Sequence, residues 1–273
     1  MTMFDRLVRS TKSVLNSVAG HPQEPQSVSA NRLRFAEQPA AVYAIGDIHG
    51  RRDLFQLMEE MIVDDAKLIQ GEKWIVCLGD MVDRGPSSAA VLDRATIALP
   101  LGFKRFCLMG NHEAMMLAFL DRPDSRSSWL ALGGRETLRS YGVAAEQLDP
   151  SRMLDRKRMS QIVAAYVPEE HRSFLESLPV LIETPKAVFV HAGLKPGTAI
   201  GRQSINDLLM FRDGFRSDFQ EFGKLVVHGH TRTVNAMLTE FRASVDTGAY
   251  ETGTLSAVRI LRTGKAELMS VSL

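Results

Sequence analysis

The hydrophobic pattern of this chain changes period repeatedly. Between residues 40 and 120, short continuous apolar runs alternate with stretches whose apolar residues recur every three or four positions. The runs "AAVYAI", "KWIVCL" and "KRFCLM" predict buried strands, since a strand covered on both faces needs no polar side. Between them, "RRDLFQLMEEMIVDDAKLIQ" places Leu54, Leu57, Met58, Met61, Ile62 and Ala66 at helical spacing. "SSAAVLDRATIAL" and "HEAMMLAFL" predict two further helices. Strands alternating with helices in this way predict α/β layering with a parallel core.

Residues 123–178 then read as mostly helical, an insertion or cap on that core. The C-terminal third turns to strands, "AVFVHAG", "KLVVHGH", "FRASVDTG", "TLSAVRIL" and "KAELMSV", and predicts a second, largely antiparallel sheet. No internal repeat is visible. Near the N-terminus, Phe4, Val8, Leu15 and Val18 fall on one face of a short amphipathic helix, with Arg6, Arg9 and Lys12 elsewhere. That helix is either a frayed terminus or a weak docking element for a membrane surface or a partner. "GHPQEPQSVSAN", 20–31, is polar and Pro-bearing and reads as a linker. The expected organisation is a tail over 1–33 and one folded domain over 34–273.

Composition narrows the classes. The chain has 273 residues, 45% hydrophobic and 24% charged, ordinary for a globular protein. A formal net charge of +1 gives no global case for a nucleic-acid or membrane-surface partner. No apolar run approaches the ~20 residues of a membrane span, so no integral membrane segment is expected. Cys77 and Cys107 sit inside apolar runs and are expected buried and reduced. With no continuous apolar signal core at the N-terminus, the expected compartment is cytoplasmic.

The chemistry lies where the strands end. The successive runs close on Gly46-Asp47-Ile48-His49-Gly50, Gly79-Asp80-Met81-Val82-Asp83-Arg84-Gly85, Gly110-Asn111-His112-Glu113, His191-Ala192-Gly193 and His228-Gly229-His230-Thr231. Open α/β sheets bind ligands at the carboxyl ends of their strands. Taken singly, Asp80 could cap a helix, His191 could be a satisfied core histidine, and Asn111 could be turn chemistry. Five of the chain's seven histidines in these clusters make coincidence a poor account. Buried polar groups each need a partner, and accident would not supply so many at equivalent places. A mixed carboxylate, imidazole and amide set suits Mn²⁺, Fe²⁺ or Zn²⁺, and no thiolate takes part. The donors are too many for one ion. Two ions need a shared carboxylate, for which Asp80 is the natural bridge.

GDIHG, GDMVDRG, GNHE, HAG and GHT, in this order, resemble the signature of the PPP family of metal-dependent phosphoprotein phosphatases, in its bacterial form. That family belongs to the calcineurin-like metallophosphoesterases, and the resemblance runs from about residue 40 to about residue 255. It implies an α/β fold of two mixed β-sheets packed as a sandwich and flanked by helices. It also implies a dinuclear centre, with Mn²⁺ the expected pair and iron or zinc as alternatives. Asp47, His49 and Asp80 would hold the first ion, and Asp80, Asn111, His191 and His230 the second. A bridging hydroxide would attack phosphorus in line, without a covalent enzyme intermediate.

By the same resemblance His112 is the general acid that protonates the leaving alkoxide, and Asp83 orients its ring. Arg84 would clamp phosphoryl oxygens, which a planar guanidinium matches bidentately. Arg212 in "LLMFRDGF" is the expected second clamp, although relatives usually carry Trp in that run; its alternative is a surface arginine. Asn111 and Tyr250 are expected to approach the substrate. His228 precedes "GHT" where an apolar residue is usual. It is either a strand residue or a tuner of the ligands beside it. "WLALGGRETLRSYG", 129–142, is either part of a wall over the metals, with Arg135 as an extra phosphate contact, or a helix–turn–helix of the cap.

The motifs fix the reaction better than the substrate. The first expectation is a serine/threonine phosphoprotein phosphatase acting on a phosphoprotein or a phosphorylated small molecule. The second is a symmetrical diadenosine tetraphosphate hydrolase. A third, a degenerate binding module, conflicts with the intact ligand set. Little chain follows the last strand, so no C-terminal autoinhibitory segment is expected.

Overall fold

The structure, a computed structural model, describes residues 31–148, 154–212 and 217–273. The expected N-terminal helix over 1–20 and nearly all of the linker lie outside the described residues. Eleven strands are seen among the described residues, β1 Arg32–Arg34, β2 Ala41–Ile45, β3 Lys73–Cys77, β4 Phe103–Cys107, β5 Leu181–Glu183, β6 Ala187–Val190, β7 Leu225–His228, β8 Met237–Leu238, β9 Arg242–Ser244, β10 Thr254–Leu261 and β11 Ala266–Ser272. They form a five-stranded sheet of order β11-β10-β2-β3-β4 and a six-stranded sheet of order β1-β5-β6-β7-β9-β8. β2, β3 and β4 are parallel, as the alternating pattern predicts.

Alternation explains how each strand reads as continuous apolar sequence. Val42 and Ala44 of β2 and Trp74 and Val76 of β3 face Phe189 and Val227 of the other sheet. Tyr43, Ile45, Ile75 and Cys77 point the opposite way, into a core shared with the helices. Both faces are covered, so neither parity can be polar. α1, Arg52–Asp65, follows β2, α2, Ser88–Thr96, follows β3, and α3, Asn111–Asp121, follows β4. The insertion is mostly helical among its described residues: a turn over Leu130–Gly134 kinked at Gly133, then α4 Arg135–Ser140, α5 Arg156–Tyr166 and α6 Glu169–Ser177. α7, Ile205–Met210, and α8, Ala249–Thr252, complete the set.

The expected second sheet differs in two ways. β10 and β11 do not belong to it; β10 pairs antiparallel with β2 and extends the first sheet. The remaining sheet is mixed, with β6-β7 and β7-β9 parallel and β5-β6 and β8-β9 antiparallel. Apolar alternation states that a segment is a strand and does not state its neighbour. β1 straddles the expected boundary at residue 34 by pairing with β5, and the short β1, β5 and β8 have too few residues to show a period. No helix among the described residues is long and apolar enough to cross a membrane.

Candidate metal centre

The strand ends converge. Asp47 and His49 follow β2, Asp80, Asp83 and Arg84 follow β3, Asn111 and His112 open α3, and His191 and His230 follow β6 and β7. Among the described residues, the non-glycine residues with positive φ are His49, Asp80, Asp83, Arg84, His230 and Phe219. Five of these are predicted site residues. Left-handed backbone costs an ordinary residue of order 1 kcal/mol or more and persists where the surroundings enforce it. Here it turns each chain sharply at a strand end and aims the side chain inward.

Asp80 stands between two groups of ligand atoms. His49, Asp80 and His112 form one, and Asp80, His191 and His230 the other, each with its atoms within 4.8 Å of one another. Oδ2 of Asp80 lies 3.6 Å from His49 Nε2, and Oδ1 lies 3.4 Å from His191 Nε2. The two carboxylate oxygens thus face different imidazoles, the geometry a bridging ligand needs. Asn111 Oδ1 lies 2.9 Å from His191 Nε2, and His230 Nδ1 lies 3.1 Å from the same nitrogen.

His49 and His191 each turn a bare ring nitrogen into the site. His49 Nδ1 donates to Val82 O at 2.8 Å, which leaves Nε2 as a buried acceptor with no hydrogen-bond partner. His191 Nδ1 donates to Leu78 O at 2.9 Å, so its Nε2 turns a lone pair toward Asn111 Oδ1 and Asp80 Oδ1. Burial pushes His49 down to about 3, His230 down to about 2, and His191 below its ordinary value. Neutral imidazole is the ligating form. Asp47 is raised well above the carboxylate range, by burial and then by the charges of Asp246 and Asp80. Buried acceptors and mutually repelling carboxylates fit a pair of divalent cations.

Two placements refine the expected ligand set. Asp47 lies outside both groups, and its carboxylate accepts from the His230 backbone N–H at 3.1 and 3.2 Å. His112 joins the first group, 3.9 Å from Asp80 Oδ2, yet both its ring nitrogens are engaged. Nδ1 donates to Asp83 Oδ2 at 2.6 Å, and Nε2 accepts from Arg84 at 3.0 Å. Arg212 reaches the site, its Nε donating to His230 Nε2 at 3.1 Å. Tyr250 stacks under the Arg84 guanidinium at 5.0 Å and stands edge-on to His49 at 5.4 Å.

The calcineurin-like phosphoesterase family pattern matches residues 40–234, well over half of the chain and all five motif segments. The chain belongs to that family. This phosphoesterase is a phosphoester-hydrolysing enzyme with residues for two divalent metals. It is 30% identical over 159 residues to a symmetrical bis(5′-nucleosyl)-tetraphosphatase of Nitrosococcus oceani, covering 57% of this chain and 45% of that one. The chain therefore spans just under half the length of that relative. It is 25% identical over 237 residues to an asymmetrical bis(5′-nucleosyl)-tetraphosphatase of Anoxybacillus flavithermus, covering 79% of this chain and 88% of the relative. A solved structure provisionally named a diadenosine tetraphosphatase superposes with a TM-score of 0.60 at 21% identity, over 89% of this chain and 98% of that one, a likeness of fold.

Around its ligands the phosphoesterase has residues that the motifs left without a role. Glu113 is fully buried and accepts from the backbone N–H groups of Asp80 and Met81 at 2.7 Å, Gly110 at 2.9 Å and Val82 at 3.2 Å. A Cβ at Gly110 would overlap Asp80 Oδ1, so only glycine allows this approach. Asp83 Oδ1 accepts from Thr137 at 2.6 Å and Oδ2 from Trp129 Nε1 at 2.7 Å. Asp246 is buried beside the centre, its Oδ1 accepting from Gly248 N at 2.8 Å. The signal for Asp246 was visible: "FRASVDTG" is one more strand closing on an acid and a glycine.

The segment 129–142 does wall the site, but not through Arg135. Gly133 packs against Asp83 and Arg84 so closely that a Cβ would strike both. Arg135 instead donates to Leu148 O at 3.0 Å and Leu130 O at 2.9 Å, inside the insertion, because α4 carries it away from the metals. It is no phosphate contact here. His228 also stands apart from the ligands: its Nε2 accepts from Arg242 at 2.9 Å.

Proposed function

We propose that this phosphoesterase hydrolyses bis(5′-nucleosyl) tetraphosphates at a two-metal centre. The observation that carries the substrate is the relative of that name, aligned over 79% of this chain and 88% of its own length. The earlier expectation of a protein substrate has no comparable support.

The residues divide the work. Two divalent ions, held by Asp47, His49, Asp80, Asn111, His191 and His230, would supply a water of lowered pKa and positive charge for the phosphoryl oxygens. Arg84 turns from His112 Nε2 onto a phosphoryl oxygen, and Arg212 from His230 does the same from the other side. That turn leaves His112 Nε2 free to carry a proton to the leaving oxygen. Burial opposes the charged ring, but Asp80 and the Asp83 hydrogen bond outweigh it and raise His112 above the ordinary histidine range. Tyr250 supports the Arg84 face through its ring. Free, buried Cys77 and Cys107 fit a reducing compartment.

A second reading, a serine/threonine phosphoprotein phosphatase, is favoured by the His112–Asp83 pair, since an alkoxide needs a proton more than a nucleoside diphosphate does. Turnover of diadenosine tetraphosphate and of a phosphoserine peptide, at equal enzyme and excess Mn²⁺, decides. We expect the dinucleotide to be the better substrate by kcat/KM. A clear preference for the peptide would overturn the proposal. The products, two ADP or ATP plus AMP, report which bond is cut.

A further inference from the structure

A cavity of about 290 Å³ opens beside Asn111, between α3 and α7. We infer that this slot is the nucleobase subsite of the phosphoesterase, an inference that rests on the nucleotide reading above.

Position comes first. Asn111 lines both the slot and the ligand group, so a substrate phosphate at the metals lies at the slot's inner end. The floor is one face of α3, from Asn111 through Met115 and Ala118 to Arg122. At ~1.5 Å per residue it runs ~16 Å. That is enough for half of a dinucleotide laid out from the attacked phosphorus.

The walls select a flat apolar group. Trp129 and Phe119 stand with ring centroids 4.7 Å apart and planes tilted by 41°. Trp129 is fixed, because its Nε1 donates to Asp83 and its ring packs on Gly134. Leu209 and Met210 close the opposite side. Both rings are buried against each other and form a rigid backing, and a base would lie on the apolar side chains of Met115, Ala118 and Met210 in front of them.

The rim suits a heterocycle rather than a hydrocarbon. The side chains of Asn206, Ser127 and Arg122 line it and make no hydrogen bond or ion pair among the described residues. They offer donors and acceptors to the polar edge of a base, Arg122 at the end of the slot away from the metals. The volume sits at the small end of ligand sites, ~300–1,000 Å³, and holds one planar group.

The test fills the slot. Ala118 is exposed on α3, so Ala118→Trp places an indole in the cavity without disturbing the core. Asn206→Ala, also exposed, removes a rim amide and guards against misfolding of the first variant. We measure kcat/KM for diadenosine tetraphosphate, nitrophenyl phosphate and a phosphoserine peptide, with metal content and ADP binding. The ratio of dinucleotide to nitrophenyl phosphate should fall about 10–100-fold in Ala118→Trp, with ADP binding weakened to match, and less in Asn206→Ala. An unchanged ratio in both variants overturns the subsite while the wild-type dinucleotide rate keeps the nucleotide reading. A selective loss on the phosphopeptide overturns it too, by giving the slot to an amino-acid side chain. No dinucleotide turnover by the wild type overturns the reading and the subsite together.

Discussion

His112 and Asp83 meet at 2.6 Å, Nδ1 to Oδ2, and Asp83 is held in place from the insertion by Thr137 and Trp129. His112 is therefore aligned by the cap as well as by its own strand end. His112→Asn should keep both metals and lose turnover on poor leaving groups by ~10²–10⁴-fold, with a much smaller loss on nitrophenyl phosphate. Equal losses on the two substrates would remove the general-acid role. Trp129→Phe, which deletes one donor to Asp83, should show a milder form of the same split.

The same pair sets a pH limb. His112 is raised above its ordinary value of about 6.5, so its proton persists to higher pH and the acid form is lost as pH rises through the raised value. Rates on a poor leaving group should fall on the alkaline side. Asp83→Asn removes a carboxylate that raises His112, so that limb should move to lower pH. A full pH–rate profile of both enzymes checks this, and a limb that moves upward or stays fixed contradicts it.

Asp80 faces both groups of ligand atoms, so its loss should be felt twice. Asp80→Asn should lower metal content below one ion per chain, where His49→Ala should empty chiefly one position. Chelation of the wild type should abolish activity and Mn²⁺ should restore it. His230→Ala should lose metal and His228→Ala should keep it, because His228 faces Arg242 rather than the ligands. Metal analysis of the four variants tests the assignment, and two ions retained in Asp80→Asn would refute the bridge.

How far the site was legible follows from the range of each contact. Asp47, His49, Asp80 and His230 sit on local turns whose glycines and acids announce them, and each could be read within five residues of its strand. The support of Asp83 could not, since Trp129 and Thr137 lie 46 and 54 positions away, in a segment whose pattern suggests a wall but not which side chains reach the turn. Arg135 shows the opposite error. A wall was one of two readings of its neighbourhood and is the one that the packing of Gly133 on Asp83 and Arg84 favours, but the direction of its guanidinium is fixed by the helix it opens. β10 was recognised as a strand and assigned to the wrong sheet, because its partner β2 lies two hundred residues back and leaves no local trace.

Glu113 tests whether the metal site is held from behind. Its two oxygens accept four backbone N–H groups, from Gly110, Asp80, Met81 and Val82, and so tie the turn carrying Asp80 to the start of α3. Glutamine keeps one acceptor oxygen and turns an NH₂ toward donors, leaving at least one buried N–H unpaired. Glu113→Gln should cost about 1–3 kcal/mol in stability. Urea denaturation in EDTA measures that loss with metal excluded. With metal present at limiting concentration, occupancy should also fall, because Asp80 loses the backbone that aims it. A denaturation midpoint equal to wild type in EDTA would mean that the Asp80 turn stands without Glu113, and would leave the capping of α3 as that carboxylate's only task.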